Sequence, residues 1–370
     1  MIIGIDASRA NSLTRTGTEW YSYHVIQELK KLIPAEHEVV LYSKEPLRAD
    51  LADLPAHWRS RVLHWPPKLL WTQFRLSLEM LLHRPDVLYI PAHTIPLIHP
   101  KKIALVVHDV GFERQTELYS TKEKAYHRFA MKLAVKYATS IITVSAFSKS
   151  EIVDVYHIDP KRITVIFNGL NNYEYDSASI PFSSLEQRLH IRKPYLLFIG
   201  RVEQKKNIPF LIDIFAILKT QYHFSGQLIL AGSPGFGHDD VMNRIAAHQL
   251  KQDVIQTGWI EEHELRTLMQ NATLFVFPSA YEGFGIPILE AMQAGIPVVC
   301  SAIPALQEVG GEAACYMDIH SSHSAAEKIN ALLAAPDQMM TLRQKGTERV
   351  KQFSWSATAA QTWKTISTLL

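Results

Sequence analysis

The stretch ATLFVFPSAYEGFGIPILE, Ala272 to Glu290, decides the fold. Its first part, Ala272 to Ser279, is short, apolar and β-rich, which reads as a buried strand. Gly283 and Gly285 are poor helix residues, whereas Pro287 suits the first helical position, where its missing N–H would have had no partner. The reading is strand, glycine loop, helix. Two carboxylates, Glu282 and Glu290, bracket seven residues of it. On one continuous helix they would lie about 12 Å apart along the axis and about 80° apart around it. The glycines break that helix, so Glu282 falls in the loop and Glu290 one turn into the helix.

This geometry exposes the backbone N–H groups of Gly283, Phe284, Gly285 and Ile286 at a helix start that carries partial positive charge. Such a place suits a phosphate, and α/β sheets hold ligands at the C-terminal ends of their strands. Spacing alone leaves an ordinary tight turn equally open.

The rest of the chain follows the same rhythm. Short apolar runs alternate with longer helical patterns, the mark of parallel α/β layers. Strands are expected in the first half at 2–6, 38–42, 62–65, 87–90, 103–108, 140–144 and 163–167. In the second half they are expected at 195–199, 227–231, 254–256, 274–277, 298–300 and 314–317. Two Rossmann-like sheets result, and 370 residues suit two domains. The polar stretch Asn171 to Ser184 interrupts the rhythm and marks the boundary.

Composition narrows the function. A net charge of +2 gives no reason to expect nucleic-acid binding. Cys300 and Cys315 make neither a disulfide framework nor a zinc spacing, which fits a reducing cytosol. No signal-peptide pattern opens the chain, and no apolar run reaches about 18 residues. A mixed aromatic, basic and leucine-rich stretch, His64 to Ile90, admits an interfacial membrane helix, but the strand that follows it favours a helix packed on the sheet.

Three groups carry chemistry. The strand PYLLFIG runs into RVEQKKN, which places Arg201 and Lys206 just past a strand end. Arg grips two phosphate oxygens at once and Lys acts as a point charge, so together they can neutralise a diphosphate without a metal. LVVHDVGFE puts His108 and Asp109 at another strand end, where a histidine can donate, accept or titrate. Gly17, in the loop before a helix from about Thr18, could let backbone approach a phosphate. There is no Asp-x-Asp motif and no convincing metal-ligand spacing, so a metal-free site with no cofactor is expected.

GRVEQKKN, TGWIEEHEL and YEGFGIPILEAMQAGIPVV together resemble the retaining glycosyltransferases of family 4, which have the GT-B fold. In the first half TGTEWYSYHVIQEL, LLWTQFRLSLEM, YIPAHTIPL, HDVGFERQTELYS, ITVSAFSKSEI and VIFNG resemble that family's mannosyltransferase-rich branch, which builds bacterial surface polysaccharides. The resemblance implies two Rossmann-like domains facing a central cleft, with a C-terminal helix from Trp355 crossing back to the first domain. The domains expected are 1–180 with 354–370, binding the acceptor, and 181–353, binding the nucleotide-sugar.

By position the resemblance assigns Arg201 and Lys206 to the diphosphate, Glu290 to ribose hydroxyls, and the backbone around Trp259 and Ile260 to the base. Glu282 and the amides of Gly283, Phe284, Gly285 and Ile286 meet the sugar and its phosphate. His108 faces the sugar near the reacting carbon, and Gly17 closes the diphosphate site. Two departures stand out: one glycine at Gly17 where many members have a pair, and no valine-aspartate after the glycine of FNGLNNYEY.

The reaction implied moves a hexose with retention, the acceptor attacking from the leaving-group face and the departing phosphate taking its proton. The donor expected is GDP-mannose, with a UDP-hexose as the alternative. The acceptor expected is a saccharide, free or linked to polyprenyl diphosphate, reached from the cytoplasm at the inner membrane face with peripheral membrane contact. A glycoside hydrolase using Glu282 and Glu290 leaves Arg201 and Lys206 unexplained. A non-catalytic nucleotide-sugar-binding protein is the remaining alternative.

Overall fold

The computed structural model describes residues 1–13, 15–67, 70–171 and 180–370. Most of the polar stretch read as the domain boundary, residues 172–179, lies outside them. The chain divides into two compact units, Met1–Asn171 with Phe353–Leu370, and Asn172–Gln352.

The first unit is built on seven parallel strands: β1 (Ile2–Asp6), β2 (Glu38–Ser43), β3 (Trp58–Val62), β4 (Val87–Ile90), β5 (Lys102–Val107), β6 (Ser140–Thr143) and β7 (Ile163–Val165). Their order is β3-β2-β1-β4-β5-β6-β7, so the winding reverses between β1 and β4. The central strands are apolar throughout because both faces are covered, as parallel sheets require. On one face Ile3, Ile5, Val39 and Val106 meet Tyr21, Ile26 and Leu29 of the helix Gly17–Leu32. On the other, Leu88, Ile90, Leu105 and Ile141 meet Trp71, Leu76, Met80 and Met131.

One strand is displaced from its expected position. The apolar run Val62 to Trp65 suggested β3, but pairing runs from Val39↔Trp58 to Ser43↔Val62. The strand is at the sheet's edge, so its outward residues are charged rather than apolar. Arg59 pairs with Glu38 at 2.7 Å and Arg61 with Glu79 at 2.8 Å. Edge strands commonly carry such charges.

The C-terminal helix Trp355–Ser367 belongs to this first unit and packs on the helix Gly17–Leu32 through Trp355, Ala359 and Ile366. It is tied down at its start. Trp355 Nε1 donates to Asn171 Oδ1 at 2.8 Å, and Thr358 Oγ1 donates to the Phe167 carbonyl at 2.8 Å. Gly169 is needed there, because a Cβ would lie 2.3 Å from the Trp355 nitrogen.

The second unit has six parallel strands: β8 (Tyr195–Ile199), β9 (Gln227–Ala231), β10 (Val254–Gly258), β11 (Leu274–Phe277), β12 (Val298–Ser301) and β13 (Ala314–Met317). Their order is β10-β9-β8-β11-β12-β13, so the winding reverses between β8 and β11. Strand ends at such a reversal splay apart and leave a crevice for a ligand. Both loops of interest leave from these two strands. No helix among the described residues is long and apolar enough to cross a membrane.

Candidate active site

At the end of β8 the chain turns through Gly200, with φ +144°, and reaches Arg201. The Arg201 side chain is 63% exposed, with Nε 3.6 Å from Glu203 Oε2. A single 3-10 turn, Gln204–Lys206, then ends at Asn207, whose φ of +55° opens the helix Ile208–Thr220. Lys206 thereby turns back toward the neighbouring strand.

At the end of β11 the loop begins at Pro278. Its Ser279 Oγ and Ala280 N–H reach the Lys205 carbonyl at 3.5 and 3.4 Å, lacing the two loops together. Lys206 Nζ lies 2.5 Å from Glu282 Oε1, and Ser279 Oγ donates to the same oxygen at 2.6 Å. The Lys206 and Glu282 side chains are only 18% and 12% exposed. An ion pair this well covered holds its geometry, which an exposed one does not. An ammonium has three donors, so Lys206 can hold Glu282 and still meet a phosphate.

The helix expected after the glycine loop is Ile286–Gln293. Gly285 caps it with φ +99°, and a Cβ there would fall 2.3 Å from Leu306 Cδ2. Pro287 occupies the second helical position rather than the first, because Ile286 already has helical geometry. Neither position costs a hydrogen bond, since the first-turn N–H groups have no intrahelical acceptor.

Glu290 sits one turn in, as expected. Burial pushes its carboxyl up to about 7, and the Glu262 carboxylate adds a smaller push in the same direction. Glu262 begins the helix after Trp259 and Ile260, so Glu290 is linked to the end of β10. Trp259 itself is exposed.

This arrangement carries a pH signature. The folded pKa of Glu290 is raised, so charging the carboxyl costs stability as pH rises from about 4.5 through about 7. Solvent screening limits the cost to about 2 kcal/mol. Glu290→Gln should therefore raise the melting temperature by about 4–8 °C at pH 8 and leave it unchanged near pH 4.5. Melting curves across that range check this, and a pH-independent difference would contradict it.

In the first unit, His108 follows β5. Its Nε2 donates to the Pro91 carbonyl at 3.2 Å, and the Tyr21 ring meets it edge-on at 4.8 Å. Burial lowers its pKa, so the imidazole is neutral at pH 7 and presents Nδ1 as an acceptor. Gly17 is the first residue of its helix, one residue before the expected start, because Thr16 and Glu19 form the cap. A Cβ on Gly17 would meet nothing within 4 Å, so this position has room for an approaching ligand.

The second unit thus joins Lys206 and Glu282 directly and sets Glu290 on the helix that follows. Arg201 pairs instead with Glu203. Sequence reasoning missed Ser279 and Glu203, whose serine and acid types in loops carry no signal until their partners are known. Among the described residues no group of three or more His, Cys, Asp and Glu side chains could hold a metal ion.

Comparison with known proteins agrees with this architecture. A family profile described as Glycosyl transferases group 1 matches residues 183–349, and one described as Glycosyltransferase Family 4 matches residues 15–172. The O-antigen chain mannosyltransferase B of Escherichia coli is 30% identical over 304 residues, covering 82% of this chain and 77% of that protein. The O-antigen chain mannosyltransferase RfbU of Salmonella typhimurium is 27% identical over 279 residues, covering 75% and 73%. The crystal structure of Anabaena Alr3699/HepE in complex with UDP-glucose is similar over 99% of both chains, with a TM-score of 0.73 and 19% identity. With two Rossmann-like units, a returning C-terminal helix and a relative 30% identical over 82% of the chain, this chain belongs to the GT-B glycosyltransferases of group 1 and Family 4.

Proposed function

We propose that the protein transfers a hexose from a nucleoside diphosphate to a saccharide acceptor, with retention at the anomeric carbon and without a metal. The observation that carries this is the covered Lys206–Glu282 pair at the winding reversal, beside the helix start on which Glu290 is mounted. A departing diphosphate gains charge as the glycosidic bond breaks. Fixed positive groups aimed at it stabilise that state without reorganising. Lys206, Arg201 and the start of the helix Ile286–Gln293 take this part. The amides of Gly283, Phe284, Gly285 and Ile286 meet the phosphate and sugar.

Glu282, held by Lys206 and Ser279, meets the donor sugar. Glu290 meets the ribose, and the backbone at Trp259 and Ile260 meets the base. His108 accepts a hydrogen bond from a sugar hydroxyl through Nδ1, and Gly17 approaches the diphosphate. The acceptor attacks from the leaving-group face, and the phosphate takes its proton, so no side chain has to act as nucleophile.

For the donor, a UDP-hexose has the stronger support, since the Anabaena structure of this fold is a complex with UDP-glucose. GDP-mannose is the second reading, favoured by the names of the two mannosyltransferase relatives, which specify the sugar but no nucleotide. Those names also support a saccharide acceptor of the O-antigen kind. We assign it to a polyprenyl-diphosphate carrier at the inner face of the cytoplasmic membrane.

Thermal shift tests both parts. UDP at about 100 times its Kd should stabilise the protein by about 2.7 kcal/mol, and GDP less. The shift should be unchanged in EDTA. A shift with GDP alone would select the second reading, and a shift that vanishes in EDTA and returns with manganese would overturn the metal-free mechanism.

A further inference from the structure

Taking the transfer reaction proposed above as given, we propose that Thr94, Tyr126 and His93 hold the acceptor's terminal sugar, that this sugar is an uncharged hexopyranose, and that His127 positions His93. None of these side chains has a part in the reaction so far.

In the first unit the winding reverses between β1 and β4, which opens a crevice at the C-terminal ends of those strands. The loop leaving β4 starts at Pro91 and is anchored twice. The Pro91 carbonyl accepts from His108, and Ser77 Oγ accepts from the Leu97 and Ile98 N–H groups at 2.8 and 3.3 Å. His93 and Thr94 lie between the two anchors. Just before Ser77, Thr72–Leu76 forms a π-helical turn, a rare winding that is frequent at functional sites. It carries Gln73, whose side chain is buried.

The helix Thr121–Tyr137 meets this loop through two neighbouring side chains, Tyr126 and His127, whose rings are 5.8 Å apart. Gln73 Nε2 donates to Tyr126 Oη at 3.4 Å, and Thr94 Oγ1 lies 3.3 Å from the same oxygen. Gln73 and Thr94 are only 4 and 8% exposed, whereas Tyr126 is 36% exposed. Hydroxyl bonds in proteins run nearer about 2.7–2.8 Å, so bonds this long leave Thr94 and Tyr126 capacity for a ligand hydroxyl. Beside them His127 Nδ1 is 3.0 Å from His93 Nε2, and the His127 ring stacks on Phe112 at 5.0 Å.

The chemistry of the patch selects its ligand. A threonine hydroxyl, a phenol and a neutral imidazole can each donate and accept, as every hydroxyl of a pyranose does. His93 Nδ1 carries a proton or a lone pair according to which ring of the histidine pair donates, so it can serve a sugar hydroxyl in either sense. Its surroundings keep His93 uncharged: desolvation takes its pKa down to about 3, and His127, His108 and Arg9 push the same way. Arg9 itself is paired with Glu19 at 3.0 Å, and Arg128 of the Tyr126 helix with Glu113 at 2.8 Å. A neutral patch whose nearby arginines are already paired favours an uncharged sugar over an anionic one, which would lose its hydration without a counter-charge. The tie from Pro91 to His108, which meets the donor sugar, sets the patch where the second sugar of a transfer has to lie.

Saturation-transfer NMR on the full chain reads this patch without requiring turnover. The probes are methyl α-mannoside, methyl α-glucoside and methyl α-galactoside, with methyl α-glucuronide as the charged control. At least one neutral hexoside should bind, and more tightly than the glucuronide. Thr94→Val/Tyr126→Phe, which keeps side-chain size, should raise its Kd by roughly ten-fold or more. His127→Phe should also weaken it, and His127→Asn, whose amide can stand in for Nδ1 opposite His93, should restore part of the loss. The melting shift given by UDP or GDP should survive in all three variants. Failure of every neutral hexoside to bind, tighter binding of the glucuronide, or equal binding by wild type and Thr94→Val/Tyr126→Phe would overturn the proposal. So would a loss of hexoside binding in Glu282→Gln that Thr94→Val/Tyr126→Phe does not share, because the sugar would then lie in the donor's place. Hexoside binding that depends on Thr94 and Tyr126, in a protein that neither nucleotide stabilises, would keep the sugar site and remove the transfer reaction.

Discussion

Lys206→Ala should lower turnover by roughly two to three orders of magnitude, the usual effect of removing one preorganised donor from a developing anion. It should also lower the melting temperature. Lys206 neutralises a carboxylate that is only 12% exposed, and stripping one partner from a covered pair costs about 3–5 kcal/mol. Loss of activity alone would therefore not separate a chemical role from a structural one. The double variant Lys206→Ala/Glu282→Gln does so. It removes the uncompensated charge while keeping an oxygen that can accept from Ser279, so stability should largely return, while turnover should fall well below that of Glu282→Gln alone. Arg201→Ala is the exposed counterpart: it should weaken nucleotide affinity in calorimetry with an unchanged melting curve. Turnover in the double variant equal to that of Glu282→Gln alone would remove Lys206 from the reaction.

The second large effect separates the two glutamates. Glu282→Gln should lower kcat by roughly a hundred-fold while changing the donor KM little, because its interaction strengthens as the glycosidic bond breaks. In the proposed assignment Glu290 meets the ribose, which does not change during the reaction. Glu290→Gln should raise KM for the donor and weaken free nucleoside diphosphate alike, by roughly ten-fold, with kcat nearly retained. Some loss of rate at Glu290 is tolerable, since binding remote from the reacting carbon helps to orient the diphosphate. Steady-state kinetics on both variants decide the matter. Loss of turnover at saturating donor in Glu290→Gln, with only a KM effect in Glu282→Gln, would reverse the two assignments.

These two residues also mark how much of the site was legible in the sequence. Gly283, Gly285 and Pro287 end one pattern and begin another within a few residues, so local backbone preference places Glu282 in the loop and Glu290 on the helix. The pairing of Glu282 with Lys206 spans 76 positions along the chain and depends on β8 and β11 being neighbours. No local pattern encodes that. The same limit applies to Ser279, an unremarkable loop serine until its hydroxyl is 2.6 Å from a carboxylate.

What the sequence determined by itself is the class of architecture: short buried strands alternating with helices, in two sets, with loops at the strand ends. Apolar periodicity and glycine or proline punctuation act over a few residues, so they can be read without coordinates. The tertiary structure decided everything that depends on which element lies beside which. Edge position let β3 run through Trp58–Val62 despite its two arginines, because pairing with β2 rather than apolarity sets its register. Burial raised the Glu290 pKa, an effect of surroundings rather than residue type. It also decided that the helix ending at Leu82, whose inner stripe is in the core, keeps a second apolar stripe uncovered, for exposure is a property of the packed unit and not of the segment.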